Sequence, residues 1–292
     1  MDLPTPIVET NWLARHLGEP DLAVVDGSWR LPGQGHARED YEKRHIPGAA
    51  FFDIDAIADR ATPLPHMLPA PADFARAMET LGISSDDRVV VYDDAGLFSA
   101  ARVWWTFRAM GHDAVAVLNG GLPKWIAEGR VLTDAPTRPR SGAFRARLRP
   151  ELVRDAAAVR AALADGATLV LDARPAGRFE GRDPEPRAGL RFGHMPGAKN
   201  LPAGEIVNSD GTIKPPEALA ALFEARGAIP GRPVITSCGS GVTAAILSLA
   251  LARLGREAHG LYDGSWAEWG AADNDPALFP VVGASEPKER RG

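Results

Sequence analysis

The sequence has 292 residues, of which 45% are hydrophobic and 24% are charged, with a formal net charge of −5 at pH 7. This composition is typical of a globular protein with enough chain for two domains, and its acidic balance argues against nucleic acid as a general partner. No apolar run of about 18 residues and no secretory signal is present, so we expect a cytoplasmic protein without a membrane partner.

In chain order, the first half alternates short apolar runs with amphipathic stretches. We predict strands at residues 22–26, 88–92 and 114–118, and helices at residues 71–81 and 98–110. Alternation of this kind is typical of a parallel sheet that is covered by helices on both faces. The first half is therefore predicted to form an α/β domain.

The second half of the sequence repeats motifs of the first half. His45-Ile-Pro-Gly-Ala49 recurs as His194-Met-Pro-Gly-Ala198, and residues 119–125 resemble residues 263–269. A further predicted strand at residues 169–172 ends in Leu-Asp, as the first strand ends in Val-Asp. The chain is therefore predicted to contain two like α/β domains.

The boundary between the two copies is predicted near residue 145. Segment 134–142 contains prolines, arginines and a glycine that interrupt every periodic pattern. We expect an N-terminal domain at residues 1–145, a C-terminal domain at residues 146–282 and a flexible polar tail at residues 283–292.

Cys238 is the only cysteine of the chain, and it lies between a predicted strand at residues 234–236 and a predicted helix that starts at Ala244. Gly239 and Gly241 let such a loop turn tightly and direct its backbone N–H groups at its centre, where they favour a thiolate. A lone cysteine is more often a small buried hydrophobic residue, but neither glycine would help a buried thiol to pack. We interpret Cys238 as a nucleophile.

Only the C-terminal copy retains this nucleophile, because Asp94 stands at the equivalent place in the first copy. The N-terminal domain is therefore expected to be non-catalytic and to form one wall of an interdomain cleft. A single cysteine excludes an intramolecular disulfide and a cysteine-rich zinc site, and the seven histidines lack the spacing of metal ligands. We expect neither a metal nor a cofactor.

The motifs Cys-Gly-Ser-Gly-Val-Thr at residues 238–243 and Tyr-Asp-Gly-Ser-Trp-Ala-Glu-Trp at residues 262–269 resemble the tandem-domain rhodanese superfamily and, within it, the 3-mercaptopyruvate sulfurtransferases. Thiosulfate-specific rhodaneses carry basic residues directly after the cysteine, where this chain has Gly239 and Ser240. The resemblance implies two tandem rhodanese-like domains, each a mainly parallel sheet flanked by helices.

The resemblance also implies an activity. Sulfur would move from 3-mercaptopyruvate through a persulfide on Cys238 to a thiophilic acceptor, and pyruvate would be released. Cyanide, a small thiol or a thioredoxin-like protein would accept the sulfur. The family is usually monomeric, so a monomer is expected.

Two arginines are expected to bind the substrate. Gly177-Arg178-Phe179 and Glu185-Pro186-Arg187 match segments whose arginines, in these sulfurtransferases, bind the substrate carboxylate and carbonyl. Guanidinium groups can hold a carboxylate through two hydrogen bonds. The ordinary alternative is a solvated arginine in a charged loop. The remaining expected substrate-binding residues belong to the cysteine loop and are Gly239, Gly241, Val242 and Thr243.

The hydroxyl groups of this loop have two interpretations. Ser240 is similar to a family serine that is proposed to relay protons to or from the cysteine, and Thr243 is placed to cap the following helix. Asp263 precedes a Gly-Ser-Trp turn, and we expect it to cap that turn. The tryptophans are expected in the core.

His45 is a further candidate for proton transfer. In the family, the histidine of Arg-His-Ile-Pro-Gly lies toward the cleft and is proposed to act with an acidic residue upstream. Here His36 occupies the place where relatives often have Asp. Because His194 repeats the motif in the second copy, a role of both histidines in the fold is the alternative to catalysis.

Sulfur transfer from thiosulfate and two other functions remain open at this point. A cysteine phosphatase needs an arginine six residues after the cysteine, and position 244 is alanine. A non-catalytic binding module is the third reading, which the combination of Cys238, Arg178 and Arg187 opposes.

Overall fold

A computed structural model of the chain describes residues 3–31, 33–256 and 259–283. Within these residues, the chain forms two five-stranded sheets with the strand orders β1-β5-β4-β2-β3 and β6-β10-β9-β7-β8, in which every pair of neighbours is parallel. The strands of the first sheet are Ile7–Val8 (β1), Leu22–Asp26 (β2), Ala50–Phe51 (β3), Arg88–Tyr92 (β4) and Val115–Leu118 (β5). Those of the second sheet are Val153–Arg154 (β6), Leu169–Asp172 (β7), Lys199–Asn200 (β8), Val234–Ser237 (β9) and His259–Tyr262 (β10).

Helices connect the strands of each sheet. In the first half they are Thr10–His16 (α1), Ala37–Lys43 (α2), Pro71–Thr80 (α3), Ala100–Ala109 (α4) and Gly121–Ala127 (α5). In the second half they are Ala156–Asp165 (α6), Ala176–Phe179 (α7), Pro216–Ala225 (α8), Ala244–Arg253 (α9) and Ser265–Trp269 (α10). The two like α/β domains are therefore confirmed, and the strands and helices predicted from periodicity lie within two residues of their predicted bounds.

Local sequence explains where several of these helices begin. Proline occupies the first turn of α3 and of α8, where the missing N–H costs nothing. The side chain of Asp155 accepts a hydrogen bond of 2.8 Å from the Ala158 N–H and caps α6. At the other end of α6, Gly166 takes the left-handed conformation that commonly ends a helix.

Helices α4 and α9 pack against each other where the two domains meet, and residues from both domains form one core cluster. Trp104, Trp105 and Phe107 of α4 are buried in this cluster together with Ile246 and Leu247 of α9. A helix that is apolar around its circumference is expected to be buried in this way. Both helices begin directly after a loop that follows a central strand, so these two loops lie at the junction of the domains. The core positions predicted for the tryptophans are confirmed for Trp104, Trp105, Trp125, Trp266 and Trp269.

The segment between the two sheets has no helix or named strand from residue 128 to residue 149. Within it, the ring centroid of Phe144 lies 5.5 Å from that of Phe74 and 6.2 Å from that of Phe107, both in the first domain. The boundary near residue 145 stays a prediction. The predicted tail lies outside the described residues apart from Gly283. None of the helices in the described ranges is both long and apolar enough to cross a membrane.

Candidate active site

A cleft with a volume of about 510 Å³ lies between the two domains. This volume is within the range of small-molecule binding sites. The first domain contributes an apolar wall of Trp29, Leu31, Leu97 and Phe98. The second domain contributes the loop between β9 and α9, together with the following residues: Pro175, Arg178, Pro186, Arg187, Ala203 and Val207.

Cys238 lies in this loop, at the cleft, and is 2% exposed. The turn before α10 and the first residues of α10 hold it in place. The Cys238 N–H donates to Ser265 Oγ at 3.2 Å, and the Trp266 N–H donates to the Cys238 carbonyl at 2.9 Å. The Ala267 N–H donates to the Gly239 carbonyl, also at 2.9 Å. The Gly-Ser-Trp turn at residues 264–266 and the residue after it therefore fix the backbone that carries the thiol.

The backbone amides of the loop are open to a ligand. Among the residues that the structure describes, none accepts a hydrogen bond from the N–H groups of residues 239–243. Gly241 has a φ of +78°, and a Cβ at this position would lie 2.6 Å from Arg102 Nη1. Glycine is required here by both the left-handed backbone and the close approach of Arg102. Such a loop can stabilise an anion on or near the Cys238 sulfur.

Arg187 is the cleft guanidinium that lacks a carboxylate partner in the described part of the chain. Its Nη2 donates to His66 Nε2 at 3.2 Å. Burial lowers the pKa of Arg187 from its usual value, and the nearby Cys238 acts in the opposite direction. An arginine stays protonated under such shifts, so Arg187 places a positive charge near Cys238.

Arg178 also faces the cleft, but a carboxylate holds it. Its Nε donates to Glu185 Oε2 at 3.1 Å, and its Nη2 contacts the same oxygen. Arg178 Nη2 lies 3.0 Å from where a Cβ of residue 239 would stand. Gly239 has no positive φ, so its lack of a side chain serves to make room for Arg178 beside the loop.

His66 and Asp55 are first-domain residues that the sequence did not indicate. Asp55 Oδ1 lies 2.8 Å from His66 Nδ1, and Trp29 Nε1 donates to Asp55 Oδ2 at 2.9 Å. Burial lowers the pKa of His66, while the hydrogen bond from His66 lowers the pKa of Asp55. A neutral His66 that donates from Nδ1 to Asp55 can accept the Arg187 hydrogen bond on Nε2. The first domain thus positions a cleft-lining arginine of the second.

A buried ion pair links the domains behind the cysteine loop. Arg102 Nη1 of α4 lies 2.7 Å from Asp263 Oδ1, and these side chains are 2% and 3% exposed. The Leu68 N–H donates to Asp263 Oδ2 at 2.8 Å, and Arg102 Nη2 donates to the His66 carbonyl. Asp263 therefore joins the two domains, and the turn-capping role predicted for it is wrong. An ion pair this deeply buried is costly to break from one side.

The structure does not bring His45 to the cleft. Its Nδ1 lies 2.8 Å from the Tyr41 carbonyl, and its ring stacks on that of Tyr41 with centroids 4.2 Å apart. His194 makes the same pair of contacts with Phe179, at 2.7 Å and 3.8 Å. Because both copies share this arrangement, the geometry favours the fold role for the two histidines.

The other predicted loop residues line the cleft, with the exception of Gly241. Ser240, Val242 and Thr243 line it together with Cys238 and Gly239. Thr243 precedes α9 but its side chain makes no capping hydrogen bond. The structure therefore brings together the Cys238 thiol, the open amides of its loop and two guanidinium groups, an arrangement suited to attack on an anionic substrate and to stabilisation of a negatively charged sulfur.

The family model of the rhodanese-like domain matches residues 9–128 and 155–272. Over 274 residues the chain is 44% identical to the 3-mercaptopyruvate sulfurtransferase of Escherichia coli strain K12, which covers 93% of this chain and 97% of that relative. It is 42% identical over 270 residues to the Homo sapiens protein of the same name, with 90% of this chain and 91% of the relative covered. The thiosulfate sulfurtransferase of Bos taurus is 44% identical over 270 residues, with the same coverage of 90% and 91%.

Two solved structures have a similar fold. The crystal structure of SseA from Escherichia coli, described as a 3-mercaptopyruvate sulfotransferase, has a TM-score of 0.82 and 42% sequence identity, and it covers 89% of this chain and 98% of that chain. The crystal structure of the Tum1 protein from Saccharomyces cerevisiae has a TM-score of 0.83 at 30% identity, and it covers 92% of this chain and 99% of that chain.

Proposed function

Since the chain belongs to the family of proteins with rhodanese-like domains, here in two copies, we propose that it moves sulfur from 3-mercaptopyruvate to a thiophilic acceptor through a persulfide on Cys238. The chain is an enzyme of the sulfurtransferase class. The observation that carries the proposal is the position of Cys238, in an amide-lined loop at a cleft whose only charged lining side chains, among the described residues, are Arg178 and Arg187.

In the first half-reaction the Cys238 thiolate attacks the sulfur of 3-mercaptopyruvate. The S–S bond forms as the C–S bond breaks, and the electron pair of the C–S bond leaves with carbon as the enolate of pyruvate. The thiol proton of the substrate ends on the methyl group of pyruvate, so the enzyme keeps an anionic persulfide. We propose that Ser240, which lines the cleft in the same loop, relays this proton. We assign no step to His45.

The two arginines divide the recognition of the substrate. Arg187 binds the carboxylate, because it has no carboxylate partner of its own in the described residues. Arg178 uses the N–H groups that Glu185 leaves free to donate to the carbonyl, where charge develops as the enolate forms. The backbone amides of residues 239–243 stabilise the persulfide anion.

In the second half-reaction a thiophile attacks the outer sulfur and restores the Cys238 thiolate. Cyanide would leave as thiocyanate, whereas a small thiol or a thioredoxin-like protein would leave as a persulfide. We propose that the protein acts as a monomer in the cytoplasm, where a reducing environment keeps its single cysteine free.

Thiosulfate is the second candidate donor. The relative from Bos taurus that carries the name thiosulfate sulfurtransferase is as similar to this chain as the Escherichia coli relative is. The neutral residues Gly239 and Ser240 favour mercaptopyruvate, because a compact dianion needs positive charge directly above the loop.

Intact mass spectrometry tests the proposal most directly. After incubation with 3-mercaptopyruvate, the protein should gain one sulfur atom, which added cyanide should remove as thiocyanate. Pyruvate should appear in equal amount. A protein that gains no sulfur from either donor and releases no thiocyanate would not be a sulfurtransferase of this kind.

A further inference from the structure

Glu185 connects Arg178, at the cleft, to a buried chain of alternating charges. One oxygen, Oε2, accepts from Arg178 Nε at 3.1 Å, and the other, Oε1, accepts from Arg174 Nη1 at 2.7 Å. Arg174 also pairs with Asp172, through a 2.7 Å contact of Nη2 with Oδ2. The side chains of Asp172 and Arg174 are 0% exposed and that of Glu185 is 3% exposed, whereas Arg178 reaches the cleft.

Further contacts fix the position of these paired charged side chains. Arg174 Nη2 donates to the Gly193 carbonyl at 2.9 Å, and its guanidinium carbon lies 4.1 Å from the Trp266 ring centroid. Trp266 belongs to α10, which also holds the cysteine loop. The orientation of the Arg178 guanidinium is therefore fixed from the interior of the domain. It donates to the Glu185 carboxylate, which Arg174 holds in place.

The two cleft arginines differ in whether a carboxylate compensates their charge. The two carboxylates of Asp172 and Glu185 compensate the two guanidinium groups of Arg174 and Arg178. Arg187 has no carboxylate in direct contact among the described residues, because its Nη2 meets the neutral His66 ring, and Asp55 lies on the far side of that ring at 2.8 Å from His66 Nδ1. Among the described residues that line the cleft, Arg187 is therefore the guanidinium whose charge no carboxylate contacts directly.

We propose that Glu185 determines which donor the enzyme prefers, by compensating Arg178 so that the cleft matches a donor with a single negative charge. This inference rests on the proposed sulfur transfer. A monoanion such as 3-mercaptopyruvate is balanced by Arg187, whereas a compact dianion such as thiosulfate leaves an extra negative charge in a partly buried site next to a thiolate. The neutral loop at Gly239 and Ser240 supplies no further cation.

Glu185→Gln tests this role, since glutamine keeps the shape of the side chain and removes its charge. We expect the ratio of kcat/KM for thiosulfate to kcat/KM for 3-mercaptopyruvate to rise about ten-fold or more, with most of the change in the KM for thiosulfate. The rise should shrink as ionic strength increases, because salt screens the new charge. A purely structural role of Glu185 would lower both activities together and leave the ratio unchanged.

Glu180→Gln is the matched control. Glu180 lies in the same region of the chain, is half-exposed and pairs with Arg182, so the substitution changes the net charge equally without touching Arg178. We expect its donor ratio to stay within about two-fold of the wild-type value, as expected for screened surface charges.

If Glu185→Gln does not fold, Glu185→Asp decides the question. The shorter carboxylate cannot reach both Arg174 and Arg178, so the ratio should rise by a smaller factor of about two to five. An unchanged or lower ratio in a folded variant that still forms the persulfide would overturn the role of Glu185. Failure of the wild-type protein to take sulfur from either donor would instead overturn the proposed function.

Discussion

The loop that follows β4 in the first domain and the loop that follows β9 in the second have equivalent positions, each at the end of the central strand of its sheet. They differ in what their backbone amides bind. In the first loop, Asp93 Oδ2 accepts from the N–H groups of Phe98, Ser99 and Ala100 at 2.7, 2.9 and 2.8 Å. In the second loop, the amides of residues 239–243 have no acceptor among the described residues.

In the first domain, the Asp93 carboxylate thus occupies the backbone amides that could otherwise bind an anion. Burial raises the pKa of Asp93, and the hydrogen bonds from the backbone oppose this shift. The next residue, Asp94, stands where the second domain has Cys238, and it pairs with Arg30, whose Nη1 donates to Asp94 Oδ1 at 2.8 Å. The first copy therefore has an aspartate in place of the cysteine, and Asp93 occupies the amides of Ala95, Phe98 and Ser99, whose equivalents in the second loop have no acceptor among the described residues.

Replacing Cys238 and replacing its equivalent Asp94 should give the largest difference in activity between the two loops. Cys238→Ser should reduce thiocyanate production from 3-mercaptopyruvate to a trace, because a hydroxyl group is a much weaker nucleophile and cannot store sulfur as a persulfide. Asp94→Ala should leave most of the activity, since Asp94 is absent from the lining of the cleft. Steady-state assays with cyanide measure both. A loss in Asp94→Ala as deep as that in Cys238→Ser would mean that the first loop takes part in the chemistry.

Introducing a carboxylate equivalent to that of Asp93 into the second loop should cause the next largest loss of activity. Ser237 stands at the position of Asp93, is fully buried, and its Oγ has no hydrogen-bond partner in the described residues. Ser237→Asp should place a carboxylate on the loop amides and lower kcat/KM by about 100-fold, since charge-assisted hydrogen bonds are worth about 1.5–3 kcal/mol each.

Ser237→Ala is the control for this substitution, because it removes the hydroxyl group without adding a charge. Its activity should stay within a few-fold of the wild-type value. Persulfide yield by intact mass, measured above pH 7 so that the new carboxyl group is ionised, reports the effect. If Ser237→Asp folds and forms as much persulfide as Ser237→Ala, occupation of the amides is not what silences the first loop.

The strand, loop and helix around Cys238 could be predicted from sequence because their signals are local. A strand, a cysteine, two glycines and a helix follow each other within residues 234–253, and the structure has them in that order. Arg178 and Arg187 were reachable only by resemblance to a family, since their charge alone does not distinguish them from surface arginines. The structure places both at the cleft.

His66 and Asp55 could not be predicted, because they lie in a segment without periodicity and meet Arg187 only through packing of one domain on the other. The very short strands β1 and β3 were missed for a related reason: two residues are too few to show a period. The role of Asp93 had no such local signal either, because Asp93 directly follows β4 and reaches the start of α4 only through the fold of the loop between them.

A further difference between the loops lies at Gly241, whose equivalent in the first domain is Leu97. Gly241→Ala should lower kcat/KM about ten-fold and destabilise the protein by about 1–2 kcal/mol, because an L-residue is strained at this positive φ and the new Cβ would collide with Arg102. Gly255→Ala is the control, since Gly255 has a φ of +67° but no atom within 4 Å of the new Cβ.

Denaturant unfolding and steady-state assays on these two alanine variants separate backbone strain from the contact with Arg102. Both variants should lose stability, but only Gly241→Ala should lose activity. Equal activity in the two variants would mean that the loop tolerates a shift of Arg102 and that its left-handed turn does not set the position of the nucleophile.

The smallest expected effect concerns Asp26 and Asp172, the aspartates that end β2 and β7. Asp172 pairs with the buried Arg174, whereas the equivalent partner position in the first domain is Ser28, whose N–H donates to Asp26 Oδ1 at 2.9 Å. Burial without a cation raises the pKa of Asp26 from 3.8 to about 6. A raised carboxyl pKa contributes stability below pH 3.8, and this contribution is lost as the pH rises through about 6.

Asp26→Asn should therefore stabilise the protein more at pH 8 than at pH 5, by a difference of about 1 kcal/mol or a few degrees in Tm, because asparagine removes the buried charge and can still accept from Ser28. Asp172→Asn should instead destabilise the protein at both pH values, since it leaves the Arg174 guanidinium with one carboxylate partner instead of two. Thermal unfolding of the two variants at pH 5 and pH 8 measures this. A stabilisation by Asp26→Asn that is equal at both pH values would show that its carboxyl group does not titrate between them, and stabilisation by Asp172→Asn would show that the buried pair in the second domain is not needed to hold Arg174.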